Sequence, residues 1–165
     1  MLIRCWGARG SIPVSGEQYL KYGGDTTCIE IRTRDDQIVI VDAGSGIRRL
    51  GQRLLEEDRR EYTLLFTHAH WDHVMGWLFF KPAYLKGTRI AVYGCPFDQP
   101  SIESVLRSLM GPPYFPVTFD TIAAECTFHD TCVGPPAIGS LTVTTTFLNH
   151  PNQGLGYRFV EDGKS

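Results

Sequence analysis

The chain has 165 residues, of which 42% are hydrophobic and 21% are charged, a balance typical of a single globular domain with its own core. The formal net charge of −2 and the pI of about 6.2 exclude the basic surface that long nucleic acids require, so we expect a small anionic substrate instead. No segment approaches the ~20 apolar residues of a membrane span, and the first residues lack the features of a signal peptide.

Short apolar runs separated by glycine-rich turns predict strands at residues 2–6, 27–33, 37–42, 62–67, 88–93, 141–148 and 155–160. Apolar residues at helical spacing predict helices over residues 46–58 and 99–110. The proline-rich region 111–139 is predicted to be an irregular insertion. Strands interleaved with helices favour a layered α/β architecture.

The cysteines are odd in number and contain no C-x-x-C pair, a pattern typical of reduced thiols in a cytoplasmic protein. They are Cys5, Cys28, Cys95, Cys126 and Cys132.

A dense group of metal-binding residue types directly follows the predicted strand 62–67: His68, His70, Asp72 and His73. Two residues apart on an extended segment, His68 and His70 project from the same side, and the following turn can bring Asp72 and His73 to a second ion. Imidazole and carboxylate ligands suit zinc, and also manganese or iron. In the alternative interpretation the histidines are surface residues and Asp72 caps the next helix. The spacing differs from that of the H-E-x-x-H zinc proteases.

The H-x-H-x-D-H pattern after a strand resembles that of the metallo-β-lactamase-fold hydrolases. Residues 7–13, 22–28 and 41–46 are similar to the first loops of the phosphodiesterase-like branch of this fold, which includes ribonuclease Z and cyclic phosphodiesterases. His150 follows the predicted strand 141–148, where the family supplies the third imidazole of its first metal site. The resemblance implies an αββα sandwich, of which this chain would form the first half and the start of the second.

Two further ligands of the family, a bridging Asp after the next strand and a later His, have no counterpart in the sequence. We therefore expect one domain, residues 1–165, that is incomplete at its C-terminus. It is either a fragment of a longer hydrolase or a shortened relative that completes its site from another chain or holds one metal weakly. A homo-oligomer, or pairing with the missing C-terminal segment, is expected.

The resemblance implies a metal-dependent hydrolase of phosphodiester bonds, with a cyclic nucleotide or small diester as substrate. One or two Zn²⁺ ions, or Mn²⁺ or Fe²⁺ in their place, would convert a bound water to hydroxide. Asp72 would hold the second ion and position the nucleophile, or accept a proton. The alternatives are a carboxylic ester or lactone hydrolase of the same fold, and a non-catalytic metal-binding or interaction module.

Three residues outside the motif are further candidates for the site. Asp42 ends an apolar strand, and the resemblance implies that it orients the ligand loop; a helix cap is the alternative. Arg9 lies in a glycine-rich hairpin and could contact a phosphodiester, or it is a surface residue of a turn. Tyr114, within residues 111–116, would stack on a flat substrate group, or the segment packs against the core or a second subunit.

A second zinc site formed by Cys126, His129 and Cys132 is conceivable from the spacing, although such a site needs a fourth ligand. The alternative is that all three are ordinary loop residues.

Overall fold

The computed structural model describes residues 1–96, 99–132 and 137–165. Within these residues the main feature is a six-stranded sheet in the order β1 to β6, and a separate two-stranded hairpin follows it. The sheet strands are β1 (Leu2–Gly7), β2 (Cys28–Arg32), β3 (Ile38–Val41), β4 (Glu61–Leu65), β5 (Arg89–Gly94) and β6 (Glu125–Asp130). The hairpin strands are β7 (Thr142–Phe147) and β8 (Leu155–Val160). Strands β1 to β3 pair antiparallel, and β3 to β6 pair parallel.

Helices cover one face of the sheet. They are α1 (Ile47–Glu56), α2 (Trp71–Val74) and α3 (Ile102–Ser108). Short 3₁₀ helices lie at Glu17–Tyr19, Met75–Phe79, Lys81–Tyr84 and Phe119–Thr121. A capping box at Ser101 begins α3, because its hydroxyl accepts a hydrogen bond of 3.0 Å from the backbone N–H of Ser104. In the described part of the chain, no helix combines the length and the apolar character that crossing a membrane requires.

The alternation of side chains along the strands divides the core into two layers. Towards the helices, residues such as Ile40, Leu64 and Val92 pack with Leu50 of α1 and with Trp77. On the opposite face, the β7–β8 hairpin covers a smaller cluster that consists of Ile31, Val39, Val41, Leu65, Ile138, Leu141 and Val143. Helices, sheet and hairpin thus form the layered α/β architecture that the sequence predicts.

The prediction that residues 111–139 are an irregular insertion is wrong for Glu125–Asp130, which forms β6; residues 133–136 of this region lie outside the described residues. This strand lies at the edge of the sheet, and all six of its residues are exposed or only partly buried. An edge strand of this kind lacks the continuous apolar run that reveals a central strand in the sequence.

Cys95 and Cys132 form a disulfide, so the prediction that all five cysteines are reduced is wrong for this pair. Parallel pairing places Gly94 of β5 opposite Asp130 of β6, which brings the two cysteines to a Cα–Cα distance of 4.5 Å. The possible second zinc site at Cys126, His129 and Cys132 is excluded as well, because Cys132 is not a free thiol. In addition, Cys126 and His129 are three residues apart on a strand and therefore point to opposite faces.

Candidate metal centre

The ends of the parallel strands bring the H-x-H-x-D-H loop next to the hairpin. This loop follows β4, and its Thr67 carbonyl oxygen accepts a hydrogen bond of 2.8 Å from the backbone N–H of Leu155, the first residue of β8. A second tie runs from the Tyr157 hydroxyl to the carbonyl oxygen of Phe66, at 2.8 Å. These two bonds place the β7–β8 loop, which carries His150, over the loop that follows β4.

Three imidazoles from these two loops converge on one point. The candidate ligand atoms of His68, His70 and His150 all lie within 4.8 Å of one another. The Nε2 atom of His150 is 3.2 Å from Nε2 of His68 and 3.1 Å from Nδ1 of His70. The structure therefore brings together the three histidines that the sequence singles out for the first metal site.

The chemistry of this donor set fits a divalent cation. Neutral ring nitrogens at such short distances repel one another unless a proton or a cation lies between them. Burial, together with the neighbouring His73, His70 and His150, lowers the pKa of His68 to about 4. His68 is thus neutral at pH 7, which is the form that binds metal. Zinc, or another borderline divalent ion, suits three imidazoles.

Asp72 and His73 lie beside the three histidines. The ring centroids of His68 and His73 are 4.0 Å apart, and Nε2 of His73 is 3.5 Å from Oδ2 of Asp72. The backbone N–H of Ser11 donates to the same carboxylate oxygen at 2.8 Å. Burial raises the pKa of Asp72, but this hydrogen bond and the charge of His73 outweigh burial, so the pKa is lowered and the carboxylate is ionised at neutral pH. The structure thus places a carboxylate and an imidazole next to the first cluster.

Asp42 links Thr67, which precedes His68, to His73 at the other end of the ligand loop. Its buried carboxylate accepts hydrogen bonds of 2.8 Å from the backbone N–H of Thr67 and 2.7 Å from Nδ1 of His73, and a further 2.8 Å bond from the Thr67 hydroxyl. Burial lowers the pKa of His73, but the bond to Asp42 more than reverses this effect, so the pKa is raised. Because a carboxylate only accepts, Nδ1 of His73 carries a proton, so in the neutral form of the ring Nε2 is the nitrogen that presents a lone pair towards Asp72.

Thr67 is a site residue that the sequence analysis does not single out. Its hydroxyl lies 2.8 Å from Oδ2 of Asp42 and 2.9 Å from Nδ1 of His68, so it links the carboxylate to the first cluster. Its position directly before the first histidine of the motif is the sequence feature that could have identified it. Ser11 is not identified from the sequence either, because its contact with Asp72 uses the backbone N–H and does not depend on the identity of its side chain.

Close backbone contacts hold the ligand loop against the end of β3. The Ala43 N–H donates to the His73 carbonyl oxygen at 2.7 Å, and the Gly76 N–H donates to the Ala43 carbonyl oxygen at the same distance. A Cβ atom at Gly76 would lie 2.0 Å from the carbonyl oxygen of Gly44. Only glycine permits this approach, which fixes the position of Asp72 and His73.

The two remaining candidates lie elsewhere. Arg9 is exposed in the connection between β1 and β2, which also contains Ser11. Its guanidinium carbon is 5.5 Å from the centroid of the Tyr19 ring. Tyr114 is 94% exposed, and no hydrogen bond or ring contact between described residues joins it to the histidines. Arg9 thus lies two residues before Ser11, whose N–H contacts Asp72. No contact between described residues brings Tyr114 to the site.

Comparison with known proteins identifies the fold. The model of the metallo-β-lactamase superfamily matches residues 22–155. Among solved structures, the metallo-β-lactamase fold protein YhfI from Bacillus subtilis matches with a TM-score of 0.65 and 17% identity over 96% of this chain and 57% of that one. A diphosphatase from the PhnP family matches with a TM-score of 0.66 and 18% identity over 95% of this chain and 61% of that one. Zn²⁺-bound PqqB from Methylobacterium extorquens matches with a TM-score of 0.59 and 16% identity, over 98% and 59% respectively.

This chain therefore spans about three fifths of the length of these solved relatives. No curated protein matches it with significant sequence similarity. The superfamily typically consists of metal-dependent hydrolases. The family match covers well over half of the sequence and agrees with the fold and with the histidine cluster, so the chain belongs to the metallo-β-lactamase superfamily.

Proposed function

We propose that the chain forms the metal-binding part of a metal-dependent hydrolase that cleaves phosphodiester bonds, with cyclic nucleotides or small diesters as substrates. The observation that carries this proposal is the convergence of His68, His70 and His150 within 4.8 Å, beside the ionised Asp72. Three protein ligands leave a coordination position open, which distinguishes a catalytic from a structural zinc site.

Each group in the site has a separate task in this proposal. A bound divalent ion supplies Lewis acidity, lowers the pKa of a water and neutralises charge on the substrate oxygen. His68, His70 and His150 hold that ion. Asp72 is the catalytic residue: held by the Ser11 N–H, it orients the attacking water towards phosphorus and accepts its proton. Asp42 positions His73 through Nδ1 and so directs the free Nε2 towards the same space.

Phosphodiesters are favoured by two observations. The loops at residues 7–13 and 22–28 resemble those of the phosphodiesterase-like branch, and one structural relative is a diphosphatase, which supports hydrolysis at phosphorus more generally. Zn²⁺ is the proposed ion, supported by the imidazole donor set and by the Zn²⁺-bound relative, with Mn²⁺ or Fe²⁺ as substitutes.

A non-catalytic metal-binding module is the second candidate. Among the described residues, Asp72 and His73 are the two groups that face a second ion, and two protein ligands hold an ion weakly. We propose that residues 1–165 by themselves bind at most one ion tightly and show little or no diester hydrolysis.

We also propose that residues 1–165 self-associate. The alternative is that they pair with a segment that completes the domain. Edge strand β1 exposes Leu2 and Ile3, and the hairpin end exposes Phe147 and Leu148. Unpaired edges and exposed apolar side chains favour association. The mass in solution during a zinc titration tests this proposal. A monodisperse monomer with two tightly bound metals and full activity would contradict it.

The activity is tested with the natural polypeptide that contains residues 1–165, loaded with zinc or manganese. We expect faster hydrolysis of bis(p-nitrophenyl) phosphate than of the p-nitrophenyl monoester, a lactone or nitrocefin, and loss of this activity in His70→Ala. The control is His129→Ala, because this exposed histidine stacks on Tyr93 and is not one of the three clustered histidines. Rapid lactone turnover with an inert diester would refute the substrate class and leave the fold intact.

A further inference from the structure

We propose that a cleft in the connection between β1 and β2 recognises a planar aromatic group next to the phosphate of the substrate. Ala8, Arg9, Gln18, Tyr19, Tyr22 and Gly23 line this cleft, whose volume is about 360 Å³. This volume lies within the range of small-molecule sites. The inference rests on the proposed function, because it names the part of the substrate that the metal centre does not contact.

The walls of the cleft are held in place by backbone hydrogen bonds. The Arg9 N–H donates to the Asp25 carbonyl oxygen at 3.0 Å, and the Val14 N–H donates to the Gly24 carbonyl oxygen at the same distance. The Gly23 N–H donates to the Tyr19 carbonyl oxygen at 2.8 Å. The two arms of the connection between β1 and β2 therefore form one preorganised surface, which reduces the entropy that a ligand must overcome.

Two cation–ring pairs lie at or beside this cleft. The Arg9 guanidinium carbon is 5.5 Å from the Tyr19 ring centroid, and the Lys21 ammonium is 4.9 Å from the Tyr22 ring centroid. Tyr22 is 83% exposed, so its ring is available to stack on a ligand. Neither cation has a carboxylate within ion-pair distance among the described residues, although Glu17 lies in the same loop. An exposed ring beside two unneutralised cations matches a flat group that carries a phosphate.

The same β1–β2 connection also reaches the metal centre. Arg9 is two residues from Ser11, whose N–H donates to Asp72 at 2.8 Å. Two residues span at most about 7 Å, so the cleft and the proposed catalytic carboxylate are within the reach of one nucleotide. A substrate can place its scissile phosphorus at the histidines and its ring on Tyr22. The chemical class that fits is a nucleoside phosphate ester.

The test measures binding of three probes to the zinc-loaded protein by equilibrium dialysis: adenosine 5′-monophosphate, ribose 5-phosphate, which lacks the ring, and adenosine, which lacks the phosphate. Tyr22→Ala should weaken AMP and adenosine about five-fold or more, since one stacked base contributes at least about 1 kcal/mol, and leave ribose 5-phosphate unchanged. Arg9→Gln should weaken AMP and ribose 5-phosphate about five-fold and leave adenosine unchanged.

Conservative variants separate recognition from folding. Tyr22→Phe keeps the ring and Arg9→Lys keeps the charge, so both should retain most of the AMP affinity. Arg89→Gln is the control for net charge, because it removes an exposed charge at the first residue of β5. This variant should leave the affinities for all three probes unchanged. Equal AMP affinities in the wild type, Tyr22→Ala and Arg9→Gln would overturn the inference.

Failure of the inference is distinguishable from failure of the proposed function. If the metal centre hydrolyses diesters but Tyr22→Ala leaves both AMP affinity and KM for a nucleotide diester unchanged, the cleft is refuted and the function stands. If AMP binds with the expected dependence on Tyr22 and Arg9 but the zinc-loaded natural polypeptide that contains residues 1–165 cleaves no diester, the cleft stands and the proposed reaction is refuted.

Discussion

Asp42→Asn changes the protonation pattern of the site with little change in shape. In the native protein, Nδ1–H of His73 donates to the Asp42 carboxylate at 2.7 Å, which leaves Nε2 free to bind metal. If the Asn oxygen keeps its bond from the Thr67 N–H, its NH₂ group faces Nδ1 of His73. The amide then donates to Nδ1 and moves the ring proton to Nε2, where it blocks coordination. Turning the amide over would set NH₂ against the Thr67 N–H.

The size of the effect follows from the bonds that change. One charge-assisted hydrogen bond of a fully buried carboxylate is lost, so the free energy of unfolding should fall by about 1.5–3 kcal/mol. Loss of an outer-shell partner of a metal-ligating histidine typically lowers metal affinity by about 10- to 100-fold. The backbone should not change, because Asp42 has φ 62° and Asn tolerates this left-handed conformation as well as Asp.

Urea unfolding and zinc titration against a competing chelator measure the two quantities. Asp58→Asn is the matched control, because Asp58 also has a positive φ, of 52°, but its side chain is 89% exposed. The control should stay within about 0.5 kcal/mol of the wild type. Unchanged zinc affinity and unchanged stability in Asp42→Asn would refute the role assigned to this carboxylate.

Three further predictions concern the scaffold. Gly76→Ala should destabilise the fold by about 2 kcal/mol or more in urea unfolding, whereas Gly10→Ala, where a Cβ meets nothing within 4 Å, should not; equal effects would contradict the close-contact argument. Thiol titration of the unreduced, denatured chain should find three free thiols, and Cys132→Ser should cost up to about 4 kcal/mol for a 37-residue separation; five free thiols would exclude the disulfide. Contacts with the N-terminal ammonium, Ser140 and Arg34 lower the pKa of Glu161 to about 2. The stabilising contribution of Glu161 is therefore complete above about pH 4.3 and is lost as the pH falls through 2. Glu161→Gln should flatten the acid limb of the curve of unfolding free energy against pH, and an unchanged limb would argue against the contacts.

Local patterns were sufficient for much of the fold. Buried strands such as Ile38–Val41 have continuous apolar runs, and α1 has its apolar residues at helical spacing, so both could be predicted. The edge strand Glu125–Asp130 could not, because exposed positions place no demand on hydrophobicity. The disulfide between Cys95 and Cys132 depends on two strand ends that are adjacent in space and distant in sequence.

The candidate site shows the same division between local and distant information. His68 and His70 are recognisable from their spacing alone. His150 is 82 residues from His68, and only the resemblance to the family assigned it to the same cluster. Thr67 acts through its hydroxyl and Ser11 through its backbone N–H, and neither role is encoded in a spacing of charged or metal-binding residue types.

The central claim is that His68, His70 and His150 hold a divalent ion, and elemental analysis of purified variants tests it most directly. The wild type and His129→Ala should carry the same amount of metal, with one tightly held ion per chain. His68→Ala and His150→Ala should lose most of it, because each removes one of the three imidazoles that converge on the site. Wild-type metal content in both His68→Ala and His150→Ala would contradict the account.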